Sequence, residues 1–151
     1  MIICLEALED WARDLLGKLE PAARNTLARS IGQALRRSQQ QRIIAQRNAD
    51  GSKYAPRKHR NLRGKQGRTR RKIQMFQRVR TVQLMRIKSD NKLISIGFAG
   101  RVARITRVHQ FGLRDRACNG APYLRYQRRE LLGFNEEDLE VIRDTMLSHL
   151  T

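Results

Sequence analysis

Between Lys53 and Arg80 the chain carries twelve Lys or Arg residues and no Asp or Glu. Such a stretch holds twelve uncompensated charges that repel one another, which a folded protein would avoid without a purpose. Its densest part, RKHRNLRGKQGRTRRK at 57–72, contains Gly64 and Gly67 and shows neither a helical nor a strand period. A basic loop at about 53–72 is therefore expected.

The rest of the charge is segregated around that loop. Of the 14 acids, five precede Pro21 and six lie from Glu130 to Asp144, so the formal charge of +18 over 151 residues is concentrated in the middle. A balance of this kind speaks to partners rather than fold, and the partner should be anionic. A chain of this length can bury about 70% of the surface its unfolded form exposes, enough for one core. Cys4 and Cys118 have no Cys or His at metal-ligand spacing and read as free thiols, small buried side chains in a reducing compartment. No apolar run approaches the ~20 residues that cross a bilayer, and MIICLEALEDW has acids where a signal peptide would stay apolar. The expectation is a soluble chain with no membrane partner.

Hydrophobic spacing predicts the body. Leu5, Leu8, Ala12, Leu15 and Leu19 give a first amphipathic helix over 4–19. Pro21 suits the first position of a second, long helix, whose core face holds Ala23, Leu27, Ile31, Ala34 and Leu35 before RRSQQQRIIAQR turns polar on most sides. NADG at 48–51 reads as its stop, with Tyr54 extended before Pro56. KIQMFQRV (72–79) is a short helix or the lead-in to a strand. TVQLMRIK (81–88) and KLISIGF (92–98) form a hairpin. A helix over 101–112 follows, carried by Val102, Ile105, Val108 and Phe111 and ended by Gly112, with Phe111 expected as its buried anchor. After a short extended YLRYQ, a C-terminal helix starts at the N-cap Asn135 and buries Leu139, Ile142, Met146 and Leu150. The sum is an α+β fold: N-terminal helices including one long one, a small antiparallel sheet built on a hairpin, a short helix and a C-terminal helix.

Nothing in this order points to catalysis. There is no Gly-rich phosphate cradle, paired-carboxylate site or His pair at metal spacing, so the expectation is no enzyme, no cofactor and no metal. His109 reads as an imidazole hydrogen-bonded in or near the core. The groups left to act are the cations Arg57, Lys58, Arg60, Arg63, Lys65, Arg68, Arg70, Arg71 and Lys72. Without interleaved aromatics or a helix-turn-helix frame, any nucleic-acid contact they made would neutralise phosphate independently of sequence and weaken steeply with salt. A solvated linker is the bland alternative.

Three patches, in this order and spacing, resemble the phage virion morphogenesis family. RRSQQQRIIAQRNADGSKYAPRK (36–58) runs a polar helix into a D-G-x-x-Y-x-P turn. GFAGRVARITRVHQFGLRDR (97–116) ends a helix in H-Q-F-G. RYQRRELLGFNEEDLEVI (125–142) leads through L-L-G-F to the last helix. The resemblance marks Asp50, Gly51, Tyr54, Pro56, His109, Gln110, Phe111, Gly112, Leu132, Gly133 and Phe134 as structural or subunit-contact residues. Tyr54 and Pro56 should pack on the sheet or the long helix. It implies a single domain over 1–151 that completes or caps the tail at its head-proximal end and enables head–tail joining. Implied partners are further copies in a ring, a hexamer, together with the tail tube, the tail terminator or sheath, the head connector, and DNA passing through the channel. The implied location is the virion neck, after assembly in the host cytoplasm. A sequence-independent nucleic-acid-binding protein acting through the basic loop is the competing reading.

Overall fold

The computed structural model describes residues 2–57 and 74–149, with side chains from Glu6 onward. Within the described residues four helices and two antiparallel two-stranded ribbons make an α+β fold: α1 Ile2–Gly17, α2 Pro21–Ile44, β1 Met85–Ser89, β2 Ile94–Phe98, α3 Val102–Phe111, β3 Arg114–Asp115, β4 Leu124–Arg125 and α4 Glu136–Ser148. Lys58 to Lys72, the bulk of the basic run, lies outside the described residues, as does Leu150.

Helix α2 is the axis of the molecule. Pro21 opens it, as its spacing predicts, after an extended Glu20. Leu27, Ile31 and Leu35 are buried at intervals of four and meet Met146 and Ile142 of α4, together with Ala12, Leu15, Leu16 and Leu19 from the first helix and its turn. Each such aliphatic side chain contributes about 1.5–3 kcal/mol of burial. Ala23, expected on that face, is exposed. The same four-residue series continues through Gln39 and Ile43, both buried, so the polar half of α2 faces inward as well.

The hairpin lies across α2. Met85 pairs with Phe98, Ile87 with Ile96 and Ser89 with Ile94. This register puts the apolar residues of both strands on one face, while Arg86 and Lys88 point away. Asp90 closes the loop, its Oδ1 accepting from the N–H groups of Lys92 and Leu93, both at 2.7 Å. Those bonds hold its carboxyl below the usual carboxylate range. Gly32 lets the sheet come close: a Cβ there would sit 2.7 Å from the Ile87 side chain. Strand β1 begins four residues later than the hydrophobic pattern predicts. Residues 77–80 and 82–84 turn instead, with the Thr81 carbonyl accepting from both Leu84 and Met85, and Gln40 of α2 fixing the Arg80 carbonyl at 2.6 Å.

A second cluster of Ile43, Tyr54, Met75, Met85 and Leu131 continues the core at the C-terminal end of α2, and Ile96 packs against both clusters. The helix α4 start follows the sequence closely: the Asn135 side chain accepts from Asp138 N, and the Asp138 side chain accepts from Asn135 N. Helix α3 stops at Gly112, which takes φ +64. Its buried side differs from the expected one. Steps of three residues advance about 300° around a helix, so the series Val102, Ile105, Val108, Phe111 drifts about 60° per step and ends half a turn away from its start. Phe111 is accordingly 63% exposed, not an anchor, and Ile105 is half exposed, while Thr106 and Val108 are buried. Cys118 is likewise exposed rather than buried.

Candidate functional site

The three sequence patches meet at the C-terminal end of α2, around an extended segment, 126–134, that has no strand partner along most of its length. Its backbone groups still need hydrogen bonds. Glutamine side chains supply them, since a primary amide offers a donor and an acceptor side by side, as a strand edge does. Gln110 of α3 accepts from the N–H groups of Leu131 and Leu132 at 2.8 and 3.0 Å and donates to the Leu132 carbonyl at 2.7 Å. Gln39 of α2 accepts from Gly133 N at 3.2 Å and donates to Gly133 O at 3.0 Å. Gln46 pairs in the same way with both backbone groups of Met75.

That use of Gln46 explains why α2 ends early. The helix stops at Ile44, before the expected NADG signal, and Gln46 takes the left-handed φ of +56. From there the chain doubles back: Tyr54 N donates to Gln46 O, and Arg47 bridges Lys53. Asp50 and Gly51 make the tip. The Asp50 side chain accepts from Ser52 N at 2.9 Å, and the Arg47 side chain donates to Gly51 O at 2.8 Å. Tyr54, 6% exposed, drops into the core against Ile43 and Met85, edge-on to Phe76, and its hydroxyl donates to Glu130 O at 3.0 Å. Burial pushes its phenol up to about 12. Asn48 accepts from Glu130 N at 2.8 Å. Pro56 is exposed, against expectation. Tyr54 takes the core position of this turn, and Pro56 contributes its carbonyl, which accepts from Arg129 at 2.9 Å.

Two buried cations lock the arrangement. Arg129, 5% exposed, donates to the carbonyls of Ala55 at 2.8 Å and Pro56 at 2.9 Å and contacts His109 Nδ1 at 3.1 Å. An arginine can only donate, so that imidazole nitrogen carries no proton. Burial, and next the Arg129 charge, push His109 down to about 4. Its ring stacks edge-on between Phe76 and Tyr126. The second cation, Arg42, pairs with the fully buried Asp138 at 3.1 Å and donates to Gly133 O at 2.6 Å, with Gln39 and Ser38 completing the carboxylate's surroundings. Gly133 must lack a side chain here: a Cβ would lie 2.8 Å from that of Ala49.

Tyr54, His109, Gln110, Leu132 and Gly133 thus converge in one clamp, with Gly112 beside it at Arg128. Phe111 and Phe134, 63% and 66% exposed, point outward from it. Arg57 is exposed just beyond the carbonyls held by Arg129, and Lys58, Arg60, Arg63, Lys65, Arg68, Arg70, Arg71 and Lys72 lie outside the described residues. Sequence reasoning missed Gln39, Arg42, Gln46, Asn48, Arg129 and Asp138. The unbroken series 27, 31, 35, 39, 43 was the available signal for Gln39. The clamp offers rigid positioning: it fixes the corner from which the chain departs toward the basic run. Among the described residues no three His, Cys, Asp or Glu side chains gather as a metal would need, and no helix is long and apolar enough to cross a membrane.

The sequence profile of the phage virion morphogenesis family matches residues 3–151. The chain is similar to tail completion protein S of Escherichia phage P2, 37% identical over 143 residues that cover 94% of each chain. No solved structure matches.

Proposed function

The chain belongs to the phage virion morphogenesis family, and from that premise we propose that it is a structural, non-catalytic assembly protein of the phage tail. It acts as one domain over 1–151, completes or caps the tail at the head-proximal end, and enables joining to the head. Copies associate as a ring, a hexamer, between the tail tube, terminator or sheath and the head connector. They assemble in the host cytoplasm and remain in the virion neck. The observation that carries this reading is the clamp. It spends the family's signature residues on holding a corner rigid, and Arg129 grips the last two carbonyls before Arg57. A basic run leaving a fixed point suits an anionic surface in a set position, either DNA in a channel or an acidic neighbouring ring.

Phage made without this chain should yield heads and tails that stay unjoined, or tails of irregular length, in negative-stain images; normal virions would refute the assembly role. The variant Arg68→Gln/Arg70→Gln/Arg71→Gln/Lys72→Gln should fold and still be unable to join heads to tails. A second reading, sequence-independent nucleic-acid binding, is favoured by the formal charge of +18. It requires duplex binding by the purified chain that weakens steeply with salt. No binding at low salt removes it.

A further inference from the structure

Helix α1 carries an acidic stripe. Glu6, Asp10 and Asp14 fall four apart, hence along one side, and all three are exposed, as is Glu9 beside them. Like charges at this spacing weaken an isolated helix by a few tenths of a kcal/mol per pair. Within the described residues only Asp10 meets a cation, Arg13 at 3.1 Å, in a pair whose side chains are about three-quarters exposed. Elsewhere on the same molecule an open groove between α2 and the β1–β2 hairpin presents the reverse. Arg29, Arg36 and Arg86 line it with Gln33 and Val82. No described carboxylate lies within ion-pair distance of these three arginines, and the Arg36 Nε is shielded from solvent without a hydrogen-bond partner. Each surface also has an exposed apolar residue at its edge, Trp11 at 36% and Val82 at 59%.

We propose that the acidic stripe of α1 on one copy seats in the Arg29–Arg36–Arg86 groove of the next copy. The occupant is a second copy because the chain itself supplies the complementary charge, and among the described residues only Asp10 of the stripe and none of the three arginines meets an opposite charge. The two surfaces are different patches of one molecule, so the contact is head-to-tail, and a head-to-tail contact closes into a ring when its rotation allows. This inference rests on the ring reading above and names the faces that would form it. The clamp takes no part, leaving the basic run free to meet another partner.

Charge reversal on the full chain tests it, with light scattering after size exclusion at low ionic strength and nuclease-treated protein. Asp10→Lys/Asp14→Lys and Arg29→Glu/Arg86→Glu change only exposed side chains and leave Arg36 in place, so circular dichroism should show both folded. Each variant alone should weaken self-association at least about tenfold, because like charges face each other across the contact. An equimolar mixture should return to within about threefold of the unaltered chain, since alternating copies restore complementary pairs. If both variants assemble like the unaltered chain, or if the mixture shows no recovery, the docking is overturned while the ring stands. Loss of duplex binding by the groove variant with unchanged assembly would overturn it in favour of phosphate. An unaltered chain that stays monomeric at high concentration and with tail tubes present overturns the ring reading itself.

Discussion

Replacing Gln110 should test whether side-chain amides stand in for a missing strand. In Gln110→Ala, the N–H groups of Leu131 and Leu132 and the carbonyl of Leu132 lose bonds of 2.7–3.0 Å together. Leu131 is fully buried and Leu132 half-buried, so water can replace only part of what is lost. At roughly 1–2 kcal/mol for each of the three abandoned groups the expected loss is about 3–6 kcal/mol. That is a large share of the 5–15 kcal/mol typical of a domain, and a fall in Tm on the order of 10 °C. Gln110→Glu sharpens the test. A carboxylate can still accept from both N–H groups but cannot donate to the Leu132 carbonyl, which it would face at hydrogen-bond distance. Its destabilisation at neutral pH should exceed about 2 kcal/mol and should shrink relative to the unaltered chain as the pH falls and the carboxyl regains a proton to donate. Urea unfolding followed by circular dichroism, across pH 7 to 4.5, reads both effects. A Gln110→Ala loss under about 1 kcal/mol, or a Gln110→Glu penalty indifferent to pH, would refute the account.

The other predictions concern neighbouring parts of the clamp. Gly133→Ala should cost about 1–3 kcal/mol through its clash with Ala49, and Ala49→Gly in the same chain should recover part of it, a coupling that a double-mutant cycle measures. Phe111→Ala should change unfolding free energy by less than about 1 kcal/mol, since the ring is 63% exposed; a loss of 3 kcal/mol or more would place it in a core after all. His109 has a folded pKa of about 4 against an ordinary 6.5. The unfolded chain therefore binds the extra proton first, and the stability that neutral His109 confers is complete above pH 6.5 and lost as the pH falls toward 4. Discounted for its partial exposure, this amounts to about 1–2 kcal/mol. Thermal melts should show a shallower acid-side slope in His109→Gln; an unchanged slope would assign the effect to carboxylates.

The local devices were legible because they are written in adjacent residues. The Pro21 start of α2, the Gly112 stop of α3, the β1–β2 hairpin and the Asn135–Asp138 cap of α4 each depend on a few neighbours whose backbone preferences or side-chain reach act within one turn. The α+β fold class followed from their order. The inferences that failed needed a partner from far along the chain. The spacing of Val102, Ile105, Val108 and Phe111 could not say which side of α3 would be covered, and turns after Met75 displaced the expected start of β1.

The signature residues divide in the same way. By itself the sequence determined that a corner follows Asn48, that a helix ends at Gly112, and that the cations concentrate in one run. Only the tertiary structure decided that Gln39, Arg42 and Asp138 are buried together, that Gln46 cuts its helix short, and that Arg129 reaches the carbonyls of Ala55 and Pro56. The physical reason is that a polar side chain reads as solvent-facing until a backbone segment with unmet hydrogen bonds is laid against it. Here that segment arrives from more than seventy residues away for Gln39, Arg42, Asn48 and Tyr54, and from 29 residues away for Gln46.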